Sequence, residues 1–336
     1  MKVLVVDVAA EHGGAATILN QYIEEFKQNS ENHYIVVLST MNFDDLENVE
    51  FLHFPWVKNS YIYRIWFDLV FCRKLIQKYK PDRVLSLQNC AISAGKIEQD
   101  VYFQNALPIS EKRYKLFESK SLWIYQNVLG RYWRLSLKKA SQIYVQAEWI
   151  KKALIEKWKL KDKEIIVKQP QLGKIYSTAF TRSDKEIILF YPANYALYKN
   201  HCNLITAFIG ACNELPNVNM SLVLTGDGQG ISETVRRTID EAPNISFKGK
   251  LSQDQMIEMY CSSTLIFPSM IETVGLPLME AKAMGSYILA SNLDYAHEAI
   301  GQYDKVMYFD PQNIEDIKNI IIKYTNWRLK NENTYR

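Results

Sequence analysis

A chain of 336 residues, 48% hydrophobic and 12% aromatic, is too long for one comfortable core and apolar enough to fold throughout, which predicts two domains and excludes a disordered or fibrous chain. Its five cysteines, Cys72, Cys90, Cys202, Cys212 and Cys261, are scattered without paired spacing, which argues against a disulfide framework or a zinc site and for a reducing cytoplasm. The formal charge of +3 is unevenly shared, with 25 Lys+Arg against 19 Asp+Glu in residues 1–170 (net +6) and 15 against 18 in residues 171–336 (net −3); no nucleic-acid motif accompanies the basic half, so nucleic acid is not the expected partner.

The opening MKVLVVDVAA reads as a first strand rather than a leader, because Asp7 interrupts the apolar run and no cleavage-like sequence precedes Glu11 and His12. DVAAEHGGAATIL then sets Gly13 and Gly14 between strand and helix, a place for a plain turn or for a loop whose amides face a phosphate. His12 beside them is an acceptor contact or an exposed loop histidine. Further apolar, β-branched runs follow at YIVVLST, DRVLSLQ, DVYFQN, QIYVQA and EIIVKQ, separated by helical spacing, as parallel strands joined by crossover helices require. The strand end DVYFQNALP carries Gln104 and Asn105, neutral amides able to donate and accept hydrogen bonds but not to exchange a proton near neutral pH. Gln88 and Asn89 in SLQNC end another strand, where loop capping is the simpler role.

Pro170, Gly173 and an aperiodic polar run place a linker near 169–185. The strand pattern restarts with EIILFYPA, MSLVLTGDG, NISFKG, STLIFPS, SYILAS and KVMYFDP, and 321–336 reads as the end of an amphipathic helix with a polar tail. No run approaches the roughly 20 apolar residues that cross a bilayer.

The stretch PSMIETVGLPLMEAKAMG holds the densest chemistry. Gly275 permits a tight turn after a strand, and Pro277 suits the first turn of the helix that follows, so free amides and the positive helix end converge on one point fit for a diphosphate. Glu280 in that helix is placed to accept two ribose hydroxyl bonds, and Glu272 on the incoming loop to hold sugar hydroxyls. For either glutamate alone, dipole offset or a solvated loop explains it equally well.

Together, two glutamates flanking seven residues closely resemble the donor-binding element of retaining glycosyltransferases of family 4 (glycosyl transferases group 1), and LTGDG, FKGKLSQDQMIEMYCSSTLIFPS and SYILASNLDYAHEAIG around it fit as well. The resemblance implies a GT-B fold: two Rossmann-like α/β domains facing across a cleft, an acceptor domain over 1–170, a nucleotide-sugar domain over 171–320, and a C-terminal helix, 321–336, returning to the first domain. It implies Glu280 on ribose, Glu272 facing the donor sugar, the loop of Thr273, Val274, Gly275 and Leu276 on sugar and phosphate, and Gly226 in the donor site, with Gly13 and Gly14 in the loop facing donor phosphate. Lys199 in YPANYALYKNHCNLITAF falls where the family places a lysine on the diphosphate; a solvated surface lysine is the alternative. The family's arginine about five residues earlier is replaced by Asn194, and its sugar-lining histidine by Gln104 and Asn105.

The implied reaction is front-face, retaining hexosyl transfer from a nucleotide sugar to a glycan or polyprenyl-diphosphate-linked acceptor, of the kind that builds bacterial surface polysaccharide. No metal or other cofactor is expected, because the acidic FDD at 43–45 lies in the wrong half. Nucleotide-sugar epimerisation and silent sugar-nucleotide or glycan binding are the alternatives. EKRYKLFESKSLWIYQNVLGRYWRLSLKKA, 111–140, has eight Lys+Arg against two Asp+Glu, and either lies on an anionic membrane at the inner face of the cell membrane or packs its aromatics into the core; 61–80 supports the membrane reading mildly.

Overall fold

The computed structural model describes residues 1–11, 13–161, 163–170, 186–226, 236, 239 and 244–332. The chain divides into two units, Met1–Pro170 and Gln171–Arg336. Most of the expected linker, 171–185, lies outside the described residues.

The first unit holds β1 (Lys2–Asp7), α1 (Gly13–Gln28), β2 (His33–Leu38), β3 (Val49–His53), α2 (Tyr61–Trp66), α3 (Cys72–Tyr79), β4 (Arg83–Ser86), β5 (Gln99–Phe103), α4 (Lys120–Ile124), α5 (Gly130–Leu137), β6 (Gln142–Val145), α6 (Glu148–Trp158) and β7 (Glu164–Val167). π-helical turns at Phe67–Phe71 and Tyr125–Leu129 join α2 to α3 and α4 to α5. Its strands form one parallel sheet in the order β3-β2-β1-β4-β5-β6-β7. Because successive side chains on a strand face opposite sides, Val3 and Val5 pack with Ile18, Leu19 and Phe26, whereas Leu4 and Val6 pack with Val57, Phe67 and Leu75. A third cluster sets Trp133 and Leu137 of α5 against Phe103 and Trp158. Core packing therefore claims the inner face of 120–140.

The second unit holds β8 (Ile187–Tyr191), α7 (His201–Glu214), β9 (Met220–Leu224), β10 (Ile245–Phe247), α8 (Gln253–Ser262), β11 (Thr264–Phe267), α9 (Leu276–Ala283), β12 (Ile288–Ser291), α10 (Asp294–Ile300), β13 (Val306–Phe309) and α11 (Ile314–Glu332). The order is β10-β9-β8-β11-β12-β13, again parallel, so each unit reverses its strand order between its first and fourth strands.

Residues 321–332 continue α11, which packs on α7 and β13, with Tyr324 bonded to Thr264 at 2.5 Å and Thr325 against the Met220 sulfur at 3.3 Å. Their apolar face, Ile317, Ile321 and Tyr324, is consumed by the second unit's own core. The strand pattern missed β3, an edge strand buried only at Val49, whose half-wet sequence VEFLH carries little apolar signal.

Candidate functional site

Doubly wound sheets bind ligands outside the carboxyl ends of the strands flanking the reversal, here β8 and β11 in the second unit. Lys199 follows β8; Glu272 follows β11, and Glu280 lies in α9 beyond it. The two loops are stitched together. Met270 N–H donates to the Tyr198 carbonyl at 2.8 Å, the buried Tyr191 hydroxyl to the Lys199 carbonyl at 2.7 Å, and the Asn200 amide to the Pro268 and Pro311 carbonyls at 3.2 and 2.6 Å. Asn200 takes φ 65°, a left-handed conformation that asparagine tolerates, and turns the chain into α7.

With its backbone so held, Lys199 places Nζ 2.5 Å from Glu272 Oε1, only 15% and 14% of the two side chains being exposed. An ammonium has three donors, so one bond to Glu272 leaves capacity for a phosphate oxygen. Beside this pair, Gly275 caps α9 at φ 75°, ψ 54°, and Pro277 sits in the first turn. A Cβ on Gly275 would stand 3.0 Å from Leu278 Cδ1 and 3.3 Å from the Tyr295 ring, so both conformation and space demand glycine. Ile271 and Val274 are buried and anchor the loop from beneath.

Glu280 is met by a residue that sequence reasoning missed. The buried Tyr260 hydroxyl donates to Glu280 Oε2 at 2.7 Å, leaving the other oxygen for a ligand. Burial lifts the Glu280 carboxyl above its ordinary range, and the Tyr260 bond opposes that rise. Tyr260 lies on α8, fixed at its start by a capping box between Ser252 and Gln255, and nothing in its local sequence separates it from an ordinary core aromatic. His201 was missed too: its ring packs 4.9 Å from Tyr191 and 5.5 Å from Tyr195, and burial pushes it down to about 4, so it stays neutral.

Asn194 is exposed in the loop after β8. Gly226, at φ 88°, exchanges two backbone bonds with Gly249, and the neighbouring Thr225 hydroxyl donates to Ala193 in that same loop at 3.2 Å. Asp227 and Gly228 of LTGDG lie outside the described residues.

In the first unit Gly13 opens α1, and a Cβ at Gly14 would meet nothing within 4 Å. His12 lies outside the described residues. The Gln104 side chain donates to the Leu87 carbonyl at 2.9 Å, tying the ends of β5 and β4, and Asn105 Oδ1 accepts from Leu107 N–H at 3.0 Å, bracing a local turn. Asn89 Oδ1 accepts from Gln104 N–H at 2.7 Å, which is a capping role.

This unit's own reversal point, β1 and β4, holds a buried polar chain that the sequence did not advertise. Arg64 donates to Gln88 at 2.8 Å, Gln88 to Asp68 at 2.6 Å, and Tyr132 to Asp68 at 3.2 Å. Asp7, fully buried at the end of β1, accepts from Ala10 N–H at 3.2 Å. Burial raises its carboxyl to about 7, against the opposing charges of Arg64 and Lys58.

The fold and the second unit's loops define a doubly wound α/β protein with a polar loop cluster at the strand reversal, and comparison with known proteins places it further. Residues 175–335 match the family described as glycosyl transferases group 1. The whole chain is similar in structure to the lipopolysaccharide outer core galactosyltransferase WaaB (TM-score 0.69, 15% identity, covering 98% of this chain and 91% of that one). It is similar also to WaaG, a glycosyltransferase involved in lipopolysaccharide biosynthesis (0.68, 12%, 97% and 90%), and to Anabaena Alr3699/HepE in complex with UDP-glucose (0.63, 14%, 96% and 88%). At these identities the likeness establishes the fold, the two parallel-sheet Rossmann-like domains of GT-B glycosyltransferases. In sequence, the serotype-specific mannosyltransferase WbdA of Escherichia coli is 37% identical over 78 residues, 23% of this chain and 9% of that protein.

Proposed function

We propose that this protein is a retaining glycosyltransferase that moves a sugar from a nucleotide-sugar donor to a glycan or lipid-linked sugar acceptor, in the cytoplasm, during synthesis of a bacterial surface polysaccharide. The observation that carries the reading is the partly buried Lys199–Glu272 pair, set at the strand reversal beside a glycine-capped helix start. The UDP-glucose bound to HepE and the names of WaaB, WaaG and WbdA support the donor class and the setting.

In this reading the amides of Thr273 to Leu276 and the Lys199 ammonium stabilise charge growing on the departing diphosphate, and Glu272 orients the sugar while keeping Lys199 aimed. Glu280 holds the ribose. The leaving phosphate takes the acceptor proton, so no protein nucleophile is required, and Lys199 with the loop amides supplies the charge stabilisation that a metal provides elsewhere.

Lys199→Ala removes a cation aimed at transition-state charge and should cost on the order of 3 kcal/mol, more than a hundredfold in transfer rate, with thermal unfolding little changed. The rate is measured with excess chelator and again with magnesium or manganese restored. A near-normal rate for the variant assigns the diphosphate to another group, and loss with chelator that metal rescues overturns the metal-free reading.

A further inference from the structure

The helical stretch from Tyr61 through the first π turn is apolar on both faces, with Phe67 fully buried and Ile65 and Phe71 packed on the core. A helix packed on a sheet ordinarily turns its apolar stripe inward and its charges to water. Here Asp68 is fully buried and Arg64 points inward to Gln88 and Asp68, while Tyr61, Ile62, Tyr63, Trp66, Leu69 and Val70 are exposed, Ile62 to 78%. The Tyr61 ring meets the Tyr125 ring edge-on at 6.1 Å, so this stretch lies beside the second π turn. Leading into that neighbour, the tip of the 111–119 loop exposes Leu116 and Phe117, the latter to 83%. The apolar surface is thus a ridge plus a tip, larger than scattered single residues explain.

Its surroundings are basic. Arg73 and Lys74, one turn beyond Val70, and Lys115 and Lys120, beside the tip, are all exposed. Tyrosine and tryptophan bring an apolar body with a polar edge, a mixture suited to the headgroup boundary of a bilayer. No helix among the described residues is long and apolar enough to cross a membrane, so such a surface lies on lipid rather than through it.

We infer that the 61–70 ridge and the 115–117 tip dock the first unit onto an anionic bilayer, with Ile62, Trp66 and Phe117 entering the interface and the flanking Lys and Arg meeting lipid phosphates. The basic aromatic segment 111–140 is thereby divided: its tip serves the membrane, while Leu129, Trp133 and Leu137 serve the core. The inference stands on the first unit alone and is independent of the proposed reaction.

The full chain is floated with vesicles of phosphatidylglycerol or of phosphatidylcholine at low and high salt. Binding to phosphatidylglycerol should be at least about tenfold stronger and should weaken with salt. Replacing Ile62 and Phe117 together by Ser should remove at least about tenfold of it without lowering the unfolding temperature, because both are mostly solvent-facing. Arg73→Ala with Lys74→Ala and Lys115→Ala should remove the preference between lipids. In the parent protein, brominated phosphatidylglycerol should quench a tryptophan signal that Trp66→Phe abolishes. Equal binding to both lipids, an unaffected serine variant, or an equal loss on reversing charge at Arg131, Arg134 and Lys138 overturns the placement. A parent dimer in solution that the serine variant dissolves gives the ridge to a second copy of the chain instead.

Discussion

Tyr260 hands one hydrogen bond to Glu280, and that bond sets how the carboxylate behaves. Tyr260→Phe should weaken nucleoside diphosphate binding by about 1 kcal/mol, roughly fivefold by calorimetry. It should also let burial raise the Glu280 carboxyl further, so that affinity is lost on acidification at a higher pH than in the parent. An unchanged pH profile would mean that Glu280 does not meet the nucleotide. Asp7 yields a prediction of opposite sense to the usual carboxylate. Its folded value is about 7 against an ordinary 3.8, so between those limits the unfolded chain gives up a proton that the folded one keeps, and stability falls as pH rises. Asp7→Asn keeps an acceptor for Ala10 N–H and removes the titration, so the urea midpoint should decline less from pH 4 to 7 than in the parent. At this scale the sequence was partly legible. Glu272, Glu280, Gly275 and Lys199 stand in a local pattern with a chemical reason, whereas Tyr260 meets Glu280 20 residues away and Asp68 meets Gln88 and Tyr132 20 and 64 residues away, partners that no spacing rule reveals.

At the level of elements, the loop after β11 works because Gly275 lets a strand become a helix start within a few residues. Gly275→Ala pays twice, for a left-handed backbone and for a contact of 3.0 Å with Leu278, and should cost on the order of 2 kcal/mol of stability while reducing nucleotide binding more than Lys199→Ala does. Thermal unfolding and calorimetry on the same preparation separate the two losses; an alanine variant with parental stability and affinity would show that the loop tolerates a different path. Six strands of each unit were readable as apolar β-branched runs because buried parallel strands need no alternation. β3 escaped because an edge strand is wet on one side. The π turns escaped for another reason: Phe67–Phe71 and Tyr125–Leu129 have helical composition, and their extra residue exists to carry Asp68 and Gln126 inward, where Gln126 accepts from Tyr114 N–H at 2.9 Å and donates to the Lys112 carbonyl at 2.7 Å.

For the molecule as a whole, a nucleoside diphosphate should slow amide hydrogen exchange at 193–200 and 270–280, where two loops are stitched by Met270 and Asn200. Protection absent from both segments sinks the assignment of the second unit to the donor. Each unit repeats one strand order, and the described residues that form the reversal point of the second lie between Tyr191 and Pro311. Lys199, Glu272, Glu280 and Tyr260 therefore travel together when the chain is divided near 170. On the proposed reaction, the half-chain joined to a foreign first unit of the same strand order should carry its nucleotide preference with it and take its acceptor from the new companion.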